Sequence, residues 1–199
     1  MSFKYITMSD YSYIGERLAE IKATLKAGVN LVAVSKTHPV EALQAAYNEG
    51  QRIFGENKVQ EILLKESELN LKDCKTHLIG HLQSNKVKKI VGKVDTIQSV
   101  DSVSIAKEIG KRSLEAGITT KILLEVNAGN EDSKFGFSHD ELFEKACEIS
   151  EIDGIMIDGL MCVAPICEKE AELRAVFSNM HRMFIDIGNK KMDNISMNV

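Results

Sequence analysis

Short apolar runs and helix-spaced apolar positions alternate along this chain. Ile14, Leu18, Ile21 and Leu25 recur at the helical period, with Ser9 or Asp10 placed to cap them and Gly28 to end them. Leu31 to Ser35 predicts a first strand. Thr37-His38-Pro39 predicts a turn, with Pro39 suited to the first helical position, and Val40, Leu43 and Ala46 predict a helix stopping at Gly50. The alternation then repeats. Strands are expected at 53–55, 76–79, 95–99, 121–127 and 155–162, with a seventh beginning at 194–197. Between them lie helices carrying Val59, Ile62 and Leu63, then residues from Ser84 or Asn85 to Val91, then Ile105, Ala106, Ile109 and Leu114 behind an Asp101 cap. Ser138-His139-Asp140-Glu141 has the form of a capping box, and Leu173, Val176, Phe177, Met180, Phe184 and Ile187 predict the last helix. Strands alternating with helices through short connections imply a parallel α/β sheet, open or closed into a barrel.

The first strand carries the most chemistry. Its continuous apolar run predicts burial on both faces, and it ends in Lys36. Lysine is rarely buried without a partner. Either this side chain leaves the sheet for solvent, or desolvation lowers its pKa and makes the amine a nucleophile toward an aldehyde. The residues themselves leave both readings open. Function in parallel α/β folds collects at the carboxyl ends of strands. Those ends here are Ser35-Lys36, Gly55-Glu56-Asn57, Gly80-His81, Ser99, Asn127, Met161-Cys162 and Ser196-Met197, a set that fits one pocket rimmed by polar groups.

Composition narrows the class. The chain has 199 residues, no low-complexity segment and no linker, so a single domain over 1–199 is expected. A formal net charge of −4 lacks the basic excess of a general nucleic-acid binder. Cys74, Cys147, Cys162 and Cys167 are scattered, without metal-ligand spacing, which argues against a zinc site and for free thiols in a reducing compartment. No apolar run is long enough for a membrane span, and polar residues interrupt the N-terminus where a signal peptide would be apolar. A cytoplasmic protein, with no metal, membrane or nucleic-acid partner, is expected.

Three stretches make the reading specific. They are Leu31-Val32-Ala33-Val34-Ser35-Lys36-Thr37, Phe54-Gly55-Glu56-Asn57-Lys58-Val59-Gln60-Glu61, and His77-Leu78-Ile79-Gly80-His81-Leu82-Gln83-Ser84-Asn85-Lys86. With Asn127, Ser133-Lys134-Phe135-Gly136, Gly159-Leu160-Met161 and Ile195-Ser196-Met197, the chain from Leu31 onward resembles the YggS/PROSC family of pyridoxal phosphate homeostasis proteins. The resemblance implies the TIM-type (β/α)8 barrel of fold-type III pyridoxal phosphate (PLP) proteins, similar to the N-terminal barrel of alanine racemase. It implies a reversible Schiff base on Lys36, Asn57 against the cofactor ring, and Ser196 and Met197 at the phosphate. It also tips Lys36 toward the partly desolvated, reactive reading. After Ser196-Met197 the family continues Gly-Met-Ser, then a helix and an eighth strand. Here Asn198 and Val199 follow, so the last helix and strand are missing from this sequence. The expectation is weaker cofactor binding and lower stability than in a complete relative.

The function implied is PLP homeostasis without assigned catalysis: a monomeric carrier that captures the aldehyde on Lys36, releases it to a competing amine and supplies PLP-dependent apoenzymes. The alternative is a PLP-dependent amino-acid racemase. That reaction needs two bases on opposite faces of a carbanion, and Tyr5, Tyr11, Tyr13 and Tyr47 all lie away from strand ends. A Schiff-base aldolase without cofactor is a third reading. His77 and His81, the basic run Lys86, Lys88 and Lys89, the loop Lys134, Met180, Met183 and Cys162 are expected to be structural or solvated.

Overall fold

The structure, a computed structural model, describes residues 11–69, 71–129, 135–166, 169–189 and 194–195. They group into two compact units, Met1–His77 and Leu78–Val199. In the first, helix α1 (Tyr13–Thr24) precedes strand β1 (Ala33–Val34), followed by α2 (Val40–Asn48), β2 (Ile53–Glu56) and α3 (Val59–Glu68); β3 (Lys75–Leu78) spans the boundary, its last residue belonging to the second unit. β1 and β2 run parallel, with Ala33 opposite Phe54 and Val34 opposite Gly55. Leu18, Leu43, Ala46 and Phe54 form the core, and Leu31 and Ala33 pack against it.

The predicted first strand needs correcting. It is two residues long, Val34 is 49% exposed, and Lys36 is exposed rather than partly desolvated. Successive strand side chains point to opposite faces. Leu31 and Ala33 face the core while Val34 faces the other way, so the apolar run shows one buried face and is silent about the second. α1 starts after Ser12, whose side chain makes no capping bond, and it ends at Thr24, before Gly28. The expected caps Ser9 and Asp10 lie outside the described residues. Pro39 stands one position earlier than expected, as the N-cap of α2.

The second unit contains α4 (Ser84–Ile90), β4 (Thr96–Val100), α5 (Val103–Glu115), β5 (Thr120–Glu125), α6 (His139–Ser150), β6 (Ile155–Met161) and α7 (Glu170–Gly188). β4, β5 and β6 are consecutive parallel neighbours, with Ile97 opposite Ile122 and Ile122 opposite Ile157. These three isoleucines are fully buried, as are Ile109 of α5, Leu142 and Ile149 of α6 and Ile187 of α7. Each such side chain contributes about 1.5–3 kcal/mol, so this layer is the centre of stability in its unit. The capping box forms as predicted: Glu141 N–H donates to Ser138 Oγ, and Ser138 N–H to Glu141 Oε1. Ile157 forms a parallel bridge with Ile195, where the seventh strand is expected to begin. Asn194, at φ 50, holds that segment by donating to Ser150 O and Ile152 O, both at 3.1 Å.

The Asp101 cap is not observed. Ser102 caps α5, its Oγ accepting from Ile105 N–H at 3.4 Å. Asp101 is engaged elsewhere. No helix among the described residues is long and apolar enough to cross a membrane.

Candidate functional site

Lys36 lies in the turn directly after β1, and Asn57 follows β2. The pairing of Val34 with Gly55 continues as Ser35 N–H donates to Gly55 O at 2.9 Å, which carries it to the residue before Lys36. Asn57 is half-buried; Lys36 is exposed and has no ion-pair partner among the described residues. Ser196 and Met197, expected at the phosphate, lie outside the described residues.

Beneath Lys36 is a buried polar cluster that the sequence reading did not identify. Lys65, on α3, donates to Ser35 O at 2.7 Å and to Glu56 Oε1 at 2.6 Å. Ser35 Oγ donates to the same Glu56 oxygen at 2.6 Å. Glu61 Oε2 lies 3.8 Å from the Lys65 amine and accepts the Thr37 N–H at 2.9 Å. Side-chain exposure is 10% for Lys65 and 3% for Glu56, which makes this a buried ion pair. Glu56 Oε2 has no hydrogen-bond partner among the described residues. The Thr37 N–H, followed by the Lys65 charge, holds the Glu61 carboxyl below its ordinary range. A signal for Lys65 does exist in the sequence. Val59, Ile62 and Lys65 are spaced by three along one helix face, and all three are buried, so a lysine in that apolar register demands a buried partner.

Thr37 is held at φ 65, a left-handed conformation that a β-branched residue adopts only under constraint. Ser35 and His38, on either side of Lys36 and Thr37, line an apolar groove of about 230 Å³ together with Tyr13, Leu43 and Phe54. The lysine therefore projects from a turn fixed from below, beside an apolar surface. An exposed amine with a fixed base can condense with an aldehyde and can also be reached by a competing amine.

The second unit has its own strand-end cluster. His81 Nδ1 lies 2.8 Å from Asp101 Oδ2, and its imidazole stacks on Phe135 with ring centroids 4.0 Å apart. Burial, and then the charge of Asp101, raises the Glu125 carboxyl above its ordinary range, opposed by His81. Ser99 Oγ donates to Gly80 O at 2.6 Å. Cys74, Cys147 and Cys162 form no disulfide among the described residues and are half-buried, and burial pushes the Cys162 thiol up; Cys167 lies outside the described residues. His81 thus takes the structural one of its two expected readings, linking Asp101, just after β4, to Phe135 in the loop after β5.

Residues 9–196 match the family model of the alanine racemase N-terminal domain. The pyridoxal phosphate homeostasis protein of Aquifex aeolicus is 36% identical over 178 residues, covering 84% of this chain and 78% of the relative. PipY of Synechococcus elongatus PCC7942, solved without PLP, is 39% identical with a TM-score of 0.82, covering 87% of this chain and 81% of PipY. Its PLP-bound structure gives 36% identity and a TM-score of 0.79, covering 92% and 88%. A Clostridium difficile alanine racemase, at 16% identity and a TM-score of 0.75, covers 94% of this chain and 52% of the racemase, a likeness of fold alone.

Proposed function

The chain belongs to the alanine racemase N-terminal domain family, among its pyridoxal phosphate homeostasis proteins, and on that premise we propose that it holds pyridoxal 5′-phosphate covalently and reversibly on Lys36. In this reading it is a carrier, monomeric and cytoplasmic, that supplies PLP-dependent apoenzymes and turns over no amino acid itself. When bound, pyridoxal phosphate supplies an aldehyde able to condense with a primary amine.

The observation that carries the proposal is Lys36: exposed, without an ion-pair partner among the described residues, and in the turn directly after β1, whose paired neighbour β2 leads into Asn57. The neighbouring Lys65 amine is consumed by Glu56, Glu61 and Ser35 and is not available for the same chemistry. Asn57 is assigned to the ring. Ser196 and Met197, which follow the bridged Ile195, are assigned to the phosphate. Exposure of Lys36 suits exchange better than catalysis, because a carrier must let a competing amine approach the bond it has made. A racemase would instead need two positioned bases and a site closed to water.

The test is direct. Mixing the protein with pyridoxal phosphate is expected to give a yellow chromophore that Lys36→Ala abolishes and that added amines discharge. Racemisation of an amino acid by the yellow protein, at rates beyond those of free pyridoxal phosphate, would reject the carrier reading.

A further inference from the structure

Resting on that reading of Lys36, we propose that α3 is the positioning element of the site: Glu61 and Lys65 clamp the backbone on the two sides of Lys36 and hold the amine ready for capture. The residue before Lys36 is held through its N–H, its carbonyl and its hydroxyl. Ser35 N–H donates to Gly55 O at 2.9 Å, Ser35 O accepts from Lys65 Nζ at 2.7 Å and from His38 N–H at 3.1 Å, and Ser35 Oγ donates to Glu56 at 2.6 Å. The residue after it, Thr37, sits at φ 65 with its N–H on Glu61 Oε2 at 2.9 Å. Lys65 and Glu61 are one helical turn apart, and their charged ends lie 3.8 Å from each other.

The arrangement is more than a turn needs for folding. A β-branched residue in the left-handed region persists only where its surroundings over-determine it, and here the bond that does so comes from a side chain on a different element. The clamp fixes backbone on both sides of a side chain that is itself exposed, so it orders the base of the amine without covering its tip. Ordering the reactive group before encounter lowers the entropic part of a capture barrier. Among the described residues, neither Glu61 nor Lys65 bonds to the Lys36 amine; their hydrogen bonds go to Thr37, Ser35 and Glu56. They act through the turn.

Glu61 is partly exposed, so it can be changed without opening the core. The experiment uses the full chain and measures three things: exchange of the Thr37 amide in the protein without ligand, the rate at which pyridoxal phosphate is captured, and Tm. Wild type and Glu61→Gln, whose amide oxygen still accepts from Thr37, are expected to protect the Thr37 amide and to capture within about twofold of each other. Glu61→Ala is expected to lose that protection and to capture about tenfold more slowly, with a Tm close to wild type. The proposal is overturned if the Thr37 amide exchanges freely in wild type, a result that needs no variant to fold. It is also overturned if Glu61→Ala captures at the wild-type rate, or if Glu61→Gln is as slow as Glu61→Ala. Where wild type labels on Lys36 and Glu61→Ala labels equally fast, only the positioning role falls. Where wild type takes up no pyridoxal phosphate, the reading of Lys36 falls and takes this one with it.

Discussion

At the scale of single residues, the strongest energetic commitment is the buried pair of Lys65 and Glu56. Removing one partner from a buried ion pair strands the other charge and costs about 3–5 kcal/mol. Lys65→Met is therefore expected to lower stability by that amount in denaturant titrations, and adding Glu56→Gln is expected to recover part of the loss. Two carboxyls have opposite pH signatures. Glu61, held below its ordinary 4.5 by the Thr37 N–H and Lys65, contributes stability above that value, lost as pH falls through its lowered one. Glu125, raised from 4.5 by burial and by Asp101 with His81 opposing, contributes below 4.5 and loses that contribution as pH rises through its raised value. Denaturant midpoints measured from acid to neutral pH are thus expected to diverge. Wild type gains on Glu61→Gln as pH rises, and loses ground to Glu125→Gln over the same span. Parallel curves would contradict these assignments.

At the scale of elements, the loop between β5 and α6 depends on Gly136. Its φ is +110, and a Cβ there would lie 2.8 Å from Asn127 N and 2.9 Å from Glu125 O. That contact would break the bridge in which Phe137 N–H donates to Glu125 O and Asn127 N–H to Phe137 O. Gly136→Ala is expected to cost about 2–4 kcal/mol, measured as a loss of unfolding free energy. Ser138→Ala, which removes the capping box, is expected to cost about 1 kcal/mol. Local features such as this box were readable because all their partners lie within one turn. Features settled by distant partners were not. Asp101 has the chemistry of a cap, but His81 claims it from another strand end. Val34 reads as core by its apolar neighbours, yet its face of β1 is open. Lys65 sits among ordinary surface residues in sequence, and only its spacing from Val59 and Ile62 marks it as buried.

At the scale of the whole molecule, the alternation of strand and helix announced a parallel α/β fold, and the family match over residues 9–196 bears out the alanine racemase type of fold. Periodicity left strand order open; in the structure, β1 pairs with β2, β4 with β5, and β5 with β6, consecutive neighbours each time. Positions of chemistry were legible as strand ends. The scaffold that holds them was not, because hydrogen bonds from α3 to the Lys36 turn span 24 and 30 residues of sequence.

The central claim is that one exposed amine carries pyridoxal phosphate. The most direct test is the intact mass of the protein after incubation with pyridoxal phosphate, with and without borohydride, followed by peptide mapping. A single borohydride-fixed adduct on the peptide containing Lys36, absent from Lys36→Ala, is the predicted result. An adduct spread over surface lysines, or one that survives in Lys36→Ala, would contradict it.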